Sequence, residues 1–297
     1  MPEVNASNAG RPATGLPRAI AIPLAALLFL IFLVLLFPWD SLGRRIAWEI
    51  SRVSGARVDV PNLAPALTAR GPVLRARDVT IEHPAVDRVR LSELEIAPRF
   101  STSWLSGDPT LRIWARTGLG HVDGVLRLGG EPAYRGRVSE VEIERLPLRL
   151  DATDVRLAGR IEADADVALD PNGTLQGRVD FESANLMIQS AQLPLAIAFS
   201  AARGGIEILE NGATRIDSVE LEGDVVEGEL SGEIGLVHRS QSPPLDMTGR
   251  LVIHDPTLRQ LAPGAGLLLS AGGEAEIRVS GTVDAPRITT VGRASQR

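Results

Sequence analysis

The stretch LAGRIEADADVAL, residues 157–169, alternates between apolar and polar residues along most of its length. Its odd-numbered positions are all apolar or Gly, whereas Arg160, Glu162, Asp164 and Asp166 lie between them. Successive side chains of a β-strand point to opposite faces of its sheet, so this period of two predicts a strand with one apolar face and one hydrated face.

The following stretch TLQGRVDFE, residues 174–182, has the same alternation and predicts the partner strand. Matching apolar with apolar positions places Leu169 opposite Leu175, with residues 171–173 as a three-residue hairpin loop and Gly173 in its left-handed position. The same register puts Arg178 opposite Asp166 on the hydrated face, where we expect a cross-strand ion pair.

The alternation begins near residue 57, recurs in the stretches at 226–237, 245–253 and 275–283, and extends almost to the end of the chain. Links of hairpin length and the lack of alternating helices favour antiparallel pairing. A long sheet with one apolar face and little helix must bury that face against a second sheet, against itself, or against a ligand. A sandwich, a closed barrel and a strongly curved sheet with an apolar concave groove all meet this need. An outer-membrane barrel is disfavoured because the chain has only one Tyr, four Trp and six Phe.

We expect the fold to be mainly β, with a long curved antiparallel sheet. Apolar residues at alternate positions are the candidates for lining a groove on its concave side. They are Leu175, Val179, Phe181, Leu230, Ile234, Leu251, Ile277 and Val279.

Glycines recur in the middle of these apolar stretches, although glycine is a poor strand residue. A glycine inside a strand marks a sharp bend or a close backbone approach. If they aligned in one row, they would crease the sheet and curl it towards its apolar side; the alternative is that glycine is simply frequent in this chain. The candidate crease positions are Gly159, Gly177, Gly223, Gly232, Gly249 and Gly281.

The segment from Ala19 to Trp39 carries no charge over 21 residues, about 32 Å as a helix, which matches the thickness of a bilayer core. It predicts one uncleaved transmembrane helix, since the apolar stretch of a signal peptide is shorter and ends in small residues. We expect a disordered tail at 1–18, the span at 19–39, an amphipathic helix at 40–55, a β-rich domain at 56–291 and a second disordered tail at 292–297. Arginines flank the span on both sides, so the charge distribution leaves its orientation open.

The amphipathic helix follows from the spacing of Leu42, Ile46, Ile50 and Val53, which share one face. Asp40 or Ser41 is available as N-cap and Gly55 as terminator. The helix either lies on a membrane surface, with Trp39 and Trp48 at the interface, or packs on the domain that follows. A second, short helix is predicted at 256–262.

Composition excludes several functions. The net charge of −6 argues against nucleic acid as a partner. No cysteine or lysine occurs, which excludes thiolate chemistry, a Walker A loop and a Schiff base. The four histidines have no metal-ligand spacing, and His121 with Asp123 lacks the context of a nucleophile. We therefore predict no catalytic, metal or cofactor site.

Several stretches together resemble the type II secretion system protein N family. They are ARVDV at 56, VLRARDVTIEHP at 73, VRLSELEIAPRF at 89, SWLSGDPTLRI at 103, GLGHVDGVLRLGG at 118 and VSGTVDAPRI at 279. The chain is also similar to AsmA-like proteins, in which an element such as Gly281, Thr282, Val283 and Pro286 closes the domain. The resemblance covers most of residues 20–290, although AsmA-like proteins are often much longer.

The resemblance implies a bacterial inner-membrane protein with its N-terminus in the cytoplasm and its β-rich domain in the periplasm. It implies an AsmA-like half-barrel or groove and a structural or assembly role in type II protein secretion, through contacts with other secretion subunits. The alternative is a lipid-binding or lipid-transfer module whose apolar groove holds acyl chains.

Overall fold

The computed structural model describes residues 22–24, 28–29, 32, 36–54, 56–69, 71–83, 86–99, 108–129, 131–145, 155–170, 174–190, 196–236, 242–282 and 285–291. The chain divides into two compact units, Met1–Trp39 and Asp40–Arg297. Within the described parts of the chain, no helix is both long enough and apolar enough to cross a membrane. Most of the predicted span at 19–39, and both predicted tails, lie outside the described residues.

The second unit consists mostly of β-strands. Its strands are β1 Arg57–Asp59, β2 Ala64–Thr68, β3 Gly71–His83, β4 Val86–Pro98, β5 Thr110–Thr117, β6 His121–Arg127, β7 Ala133–Glu142, β8 Val155–Leu169, β9 Leu175–Ser190, β10 Ile197–Ile208, β11 Thr214–Glu222, β12 Val226–Ile234, β13 Pro244–Ile253, β14 Glu274–Thr282 and β15 Ala285–Thr290. The helices are α1 Trp39–Ser54 and α2 Pro256–Leu261, with 3₁₀ turns at Ile143–Arg145 and Ala262–Ala265.

All fifteen strands belong to one antiparallel sheet. From β3 to β15 each strand pairs with the next in the chain, and β1 and β2 both pair with β3. Strand β15 lies at one edge and β1 with β2 at the other, and no pairing within the described residues joins these edges. The prediction of a mainly β chain with a long antiparallel sheet is confirmed.

The hairpin of β8 and β9 has the predicted register, with Leu169 opposite Leu175. The Asp170 carboxylate accepts a hydrogen bond of 2.7 Å from the backbone N–H of Thr174, which closes the turn. The predicted loop residues 171–173 lie outside the described residues. Matching apolar positions was thus sufficient to fix this register, because a slip of one residue would turn the apolar side chains to the hydrated face.

Directly opposed residues share a face, so the register defines rows of side chains that cross the sheet from strand to strand. Three rows on one face are almost wholly apolar. Row A contains Leu74, Ile96, Ile113, Gly124, Gly136, Ala165, Val179, Ile206, Ile216, Gly232, Met247, Val279 and Ile288. Row B contains Ala76, Leu94, Ala115, Val122, Val138, Ala163, Phe181, Gly204, Val219, Leu230, Gly249, Ile277 and Thr290. Row C contains Pro98, Leu111, Leu126, Tyr134, Val167, Gly177, Ile208, Thr214, Ile234, Leu245, Gly281 and Pro286.

Three strands carry an irregularity at a non-glycine residue with positive φ. These residues are Asp78 in β3 at 58°, Glu140 in β7 at 57° and Asn185 in β9 at 57°. The register between neighbouring strands shifts at Glu140 and at Asn185, in the manner of a β-bulge, and Asp78 lies opposite Ser92, where the register of β4 shifts against β5. Asp and Asn tolerate this left-handed conformation because their short side chains bond locally, whereas Glu140 is an unusual occupant. The bulges were not predicted from the sequence.

Two clusters of buried side chains lie at different parts of the sheet. In the first, Leu42, Ile46 and Ala47 of α1 pack with residues of β1, β3 and β4, including Val79, which is 1% exposed. In the second, Leu258 of α2 packs with side chains of β9 to β13. Asp255 caps α2 by accepting hydrogen bonds from the N–H groups of residues 257 and 258. Both helices were predicted, and Leu42, Ile46 and Ala47 of α1 pack on the domain that follows.

Candidate functional site

The apolar face, which we define as the side of the sheet that carries rows A, B and C, is the candidate functional surface. All eight residues predicted to line a groove lie on it. Val179 and Val279 belong to row A, Phe181, Leu230 and Ile277 to row B, and Ile234 to row C, while Leu175 and Leu251 lie in the rows on either side. The structure therefore brings together on one surface residues that are up to about a hundred positions apart in the chain.

Only parts of this face are covered by the rest of the described chain. Helix α1 covers β3 and β4, and α2 with the segment after it covers one end of β9 to β13. Neither cluster includes a residue of β5, β6, β7 or β8. Between the two helices, the described residues provide no second layer over the apolar face.

The exposure of the side chains agrees with an uncovered surface. Val179, Phe181 and Ile234 are all partly exposed, although they lie in the interior of the sheet. At its margins, Leu175 is 44% exposed and Ile288 is 59% exposed. Ile277 is the exception among the predicted lining residues, being only 4% exposed. Aliphatic side chains that remain partly accessible across many neighbouring strands are typical of a binding face.

One aromatic side chain lies within the apolar face. The ring of Tyr134 covers Gly124 and Gly136, because a Cβ placed on Gly124 would come within 2.6 Å of it and one on Gly136 would meet its hydroxyl. That hydroxyl is buried and has no hydrogen-bond partner among the described residues. Burial, with a smaller effect from the charge of Asp123, raises the pKa of the phenol. An aromatic ring laid over glycines in this way restores packing that the missing side chains would otherwise leave empty.

The predicted crease glycines are spread over the sheet. Gly232 lies in row A, Gly249 in row B, and Gly177 with Gly281 in row C, so these four do not form one line. Gly159 lies beside the bulge at Asn185, and Gly223 follows β11. The crease itself stays a prediction.

Close backbone approach is nevertheless a common property of these glycines. A Cβ on Gly159 would come 2.8 Å from the carbonyl oxygen of Asn185, and one on Gly177 would stand 2.6 Å from the Cα of Val167. Gly177 and Gly232 also have φ of 144° and 154°, which favours glycine over every other residue. These positions need glycine for two separate reasons, crowding and backbone conformation.

The opposite face of the sheet is charged, and most of its ion pairs join neighbouring strands. Arg203 pairs with Glu220 and Glu222, and Arg278 pairs with Asp246 at 2.9 Å. A depression of about 1040 Å³ lies on this face over β4 to β9, and the arginines that line its centre are themselves ion-paired. Exposed pairs of this kind contribute little each, about 0.2–1 kcal/mol. The charged face is largely self-neutralised and does not form a strongly charged patch of one sign.

One expected ion pair is wrong. Arg178 does lie opposite Asp166 in the register, but its guanidinium instead binds Asp180 at 2.8 Å and Asp217 at 2.7 Å. These hydrogen bonds, that to Asp180 most of all, raise the pKa of Arg178. Asp166 bonds to Arg135 of β7 at 2.9 Å. Asp180 lies on the same strand as Arg178, whereas Asp217 and Arg135 lie on strands outside the β8–β9 hairpin, which the two-strand register could not reveal.

The histidines and their acidic neighbours form no cluster suited to a metal ion within the described residues. No group of three or more potential metal-ligating side chains occurs there. His121 lies 3.3 Å from Glu140, and His254 lies 3.3 Å from Glu227, in two separate exposed pairs. Asp123 accepts a hydrogen bond from the indole of Trp114 at 3.0 Å and forms no pair with His121. His238 lies outside the described residues.

The predicted lining residues included none from β3 to β7, which are five of the thirteen strands of the apolar face. Those strands are shorter or interrupted by bulges, yet the same period of two is present, for example in Leu111, Ile113 and Ala115 of β5. The alternation in LRIWA would have been sufficient to extend the candidate surface. The site of Tyr134 carried no sequence signal, because the ring lies over Gly124 from the neighbouring strand.

Comparisons with known proteins add no relative. No protein-family model matches the chain, and no curated protein or solved structure shows significant similarity to it.

Proposed function

We propose that this protein is an inner-membrane-anchored, periplasmic component of a type II secretion system and that it acts as a structural scaffold through the apolar face of its sheet. The family resemblance of its sequence stretches supports the assignment to that machinery. In this proposal residues 58–291 lie in the periplasm, the sheet is curved in the AsmA-like manner, and the face between α1 and α2 receives an apolar segment of another secretion subunit.

The observation that carries the proposal is the uncovered apolar face. Rows A and B each cross the thirteen strands from β3 to β15, and described side chains cover them only near the two helices. Apolar area of this extent is costly to leave in water, at about 25 cal/mol for each Å². A partner that covers it therefore gains much of its affinity from desolvation alone.

A second candidate is favoured by the composition of the same rows. In rows A, B and C the only side chains with a hydrogen-bonding group are Tyr134, Thr214 and Thr290. A protein segment carries backbone polar groups that would remain unsatisfied against such a surface, whereas an acyl chain has none. In this alternative the face is a groove that binds lipid, and each buried methylene contributes about 0.8 kcal/mol.

Site-specific photo-crosslinking tests both proposals. A photoreactive residue is placed at Ile234 or Val279 on the apolar face, and the matched control is placed at Glu233, the neighbour of Ile234 on the charged face. The scaffold proposal expects capture of a secretion subunit from the face positions, no capture from Glu233, and impaired secretion when the gene is deleted. Capture of phospholipid from the same positions, with secretion unchanged in the deletion strain, would replace the scaffold by the lipid-binding module.

A further inference from the structure

One side of helix α1, Trp39–Ser54, is packed against the sheet. Leu42, Ile46 and Ala47 face the sheet and pack into the first buried cluster. Gly43 is also buried, and a Cβ there would come within 3.0 Å of the carbonyl oxygen of Val60. This side of the helix therefore lies so close to the β1–β2 connection that nothing can be inserted between them.

The opposite side of α1 combines two arginines with an exposed indole. Arg44 and Arg45 are exposed, and Trp48 is 52% exposed. The guanidinium carbon of Arg45 lies 4.8 Å from the centre of the Trp48 ring. Arg44 donates a hydrogen bond of 3.0 Å to the hydroxyl of Ser41, which lies on the same side of the helix. We call this side the outer side of α1.

The outer side has no role in the buried core of the domain. It nevertheless carries Trp48, whose large aromatic side chain is costly to expose to water. Trp48 occupies the position three residues after Arg45 and four after Arg44, so the indole lies between the two arginines on the helix surface. Basic residues around an exposed Trp are the pattern of helices that lie in the interface of a membrane. Helix α1 also follows directly, in sequence, the uncharged stretch that ends at Trp39.

We propose that the outer side of α1 binds the surface of an anionic phospholipid bilayer. Arg44 and Arg45 contact phosphate groups, and the Trp48 ring lies at the level of the headgroups. Basic side chains are attracted to anionic lipids over about a Debye length, and the amphipathic indole prefers the interface to either water or hydrocarbon. The proposal goes beyond the secretion role and does not depend on what the apolar face binds.

The full-length chain allows a direct test, because it contains no cysteine. Ser41→Cys is labelled with an environment-sensitive fluorophore, and Glu276→Cys, on the charged face of the sheet, is the matched control position. The protein is reconstituted into vesicles of phosphatidylcholine alone, or of phosphatidylcholine mixed with phosphatidylglycerol, each containing a phospholipid with a nitroxide headgroup as quencher. We expect quenching of the label at position 41 in the mixed vesicles, weaker quenching in phosphatidylcholine alone, and none at position 276.

Substitutions on the outer side of α1 identify the side chains that bind the bilayer. We expect Arg44→Gln and Arg45→Gln each to lower the ratio of docked to undocked helix about fivefold in the mixed vesicles, and added salt to lower it further. Trp48→Ala should also lower it, whereas Arg44→Lys should not. Because these side chains are exposed, the urea midpoint of each variant should match that of the parent.

Three results would overturn the proposal. They are failure of the chain to float with vesicles, equal quenching at positions 41 and 276, and insensitivity of the quenching to both arginine substitutions. None of these results bears on the photo-crosslinking at Ile234, so failure here and failure of the secretion role are separately recognisable.

Discussion

The phenol of Tyr134 lies over Gly136, two residues further along the same strand, and occupies the space that a Cβ at Gly136 would need. Gly124, opposite Gly136 on β6, faces the same ring. The aromatic ring and the two glycines thus form one packing unit in the middle of the apolar face.

Tyr134→Phe should leave stability unchanged or raise it by up to about 1 kcal/mol, because it removes a buried hydroxyl that has no partner among the described residues. Tyr134→Ala should instead destabilise by about 2 kcal/mol or more, since the two glycines lose the ring that covers them. Urea unfolding of both variants measures the difference. A destabilising Tyr134→Phe would indicate that the hydroxyl makes a bond in solution.

Gly136→Ala provides a second test of this packing unit. We expect it to destabilise the parent strongly and to cost less in the Tyr134→Ala background, where the colliding phenol is gone. The remaining cost reflects the carbonyl oxygen of Asp123, which would lie 2.6 Å from the added methyl group. A double-mutant cycle isolates the coupling. Additive effects would mean that ring and glycines pack independently.

Glycines with positive φ lead to a different prediction. Gly177→Val and Gly232→Val should each destabilise by about 1–3 kcal/mol through crowding, with further backbone strain of similar size. Gly249→Val should show the crowding alone, because this glycine does not have a positive φ. The control is Gln176→Val on the charged face of the same strand as Gly177. If the three glycine variants melt like the control, these positions do not need glycine.

The predicted register of the β8–β9 hairpin and the observed pairing of Asp166 show which features of the fold could be predicted from the sequence and which could not. The period of two identifies faces and, between adjacent strands, their register, because both depend only on residues close in the chain. The choice of Arg135 as the partner of Asp166, and the ring of Tyr134 over Gly124, depend on which strand lies on the other side. The alternation of apolar and polar residues also does not reveal what covers an apolar face. Val79 and Val179 each lie between two polar residues in the sequence, but only Val79 is buried beneath a helix.

Glu144 introduces a dependence of stability on pH. Its carboxylate accepts a hydrogen bond of 3.1 Å from the N–H of Gly159, and bonds from its own backbone N–H and from Gly159 lower its pKa from the ordinary value of 4.5. A depressed pKa in the folded state stabilises at pH values above 4.5, and this contribution is lost as the pH falls through the folded-state pKa.

Glu144→Gln should therefore be less stable than the parent at neutral pH, and the difference should shrink as the pH falls below 4.5 towards the folded-state pKa. Chemical unfolding of both proteins as a function of pH measures this convergence. Arg145→Gln serves for comparison, since it removes a weaker influence on the same carboxylate together with the 2.7 Å ion pair between Arg145 and Glu142. A difference between parent and Glu144→Gln that is constant with pH would exclude the charge as its cause.

The proposed topology predicts where proteases can act. If residues 58–291 are periplasmic, protease added to intact spheroplasts should remove the domain, and a cytoplasmic marker protein should survive. The folded sheet itself resists cleavage, so the first cuts should fall at exposed turns between strands, such as residues 270–272. Full protection of the domain until the cells are lysed would reverse the orientation.

A valine on the uncovered face and a valine beneath a helix should respond differently to the same substitution. Val179 is partly exposed in row A, whereas Val79 is 1% exposed in the α1 cluster. A carboxylate at position 79 would be buried without a partner and should prevent stable folding. At position 179 it can remain hydrated, so we expect Val179→Asp to fold with a loss of about 1–2 kcal/mol, mainly from the removed apolar contact. The same substitution should abolish photo-capture from Ile234 without altering the far-ultraviolet circular dichroism spectrum, because it places a charge in the middle of the binding surface. Equal destabilisation at positions 79 and 179 would mean that the face is covered within the folded protein, and both functions proposed for it would then lose their basis.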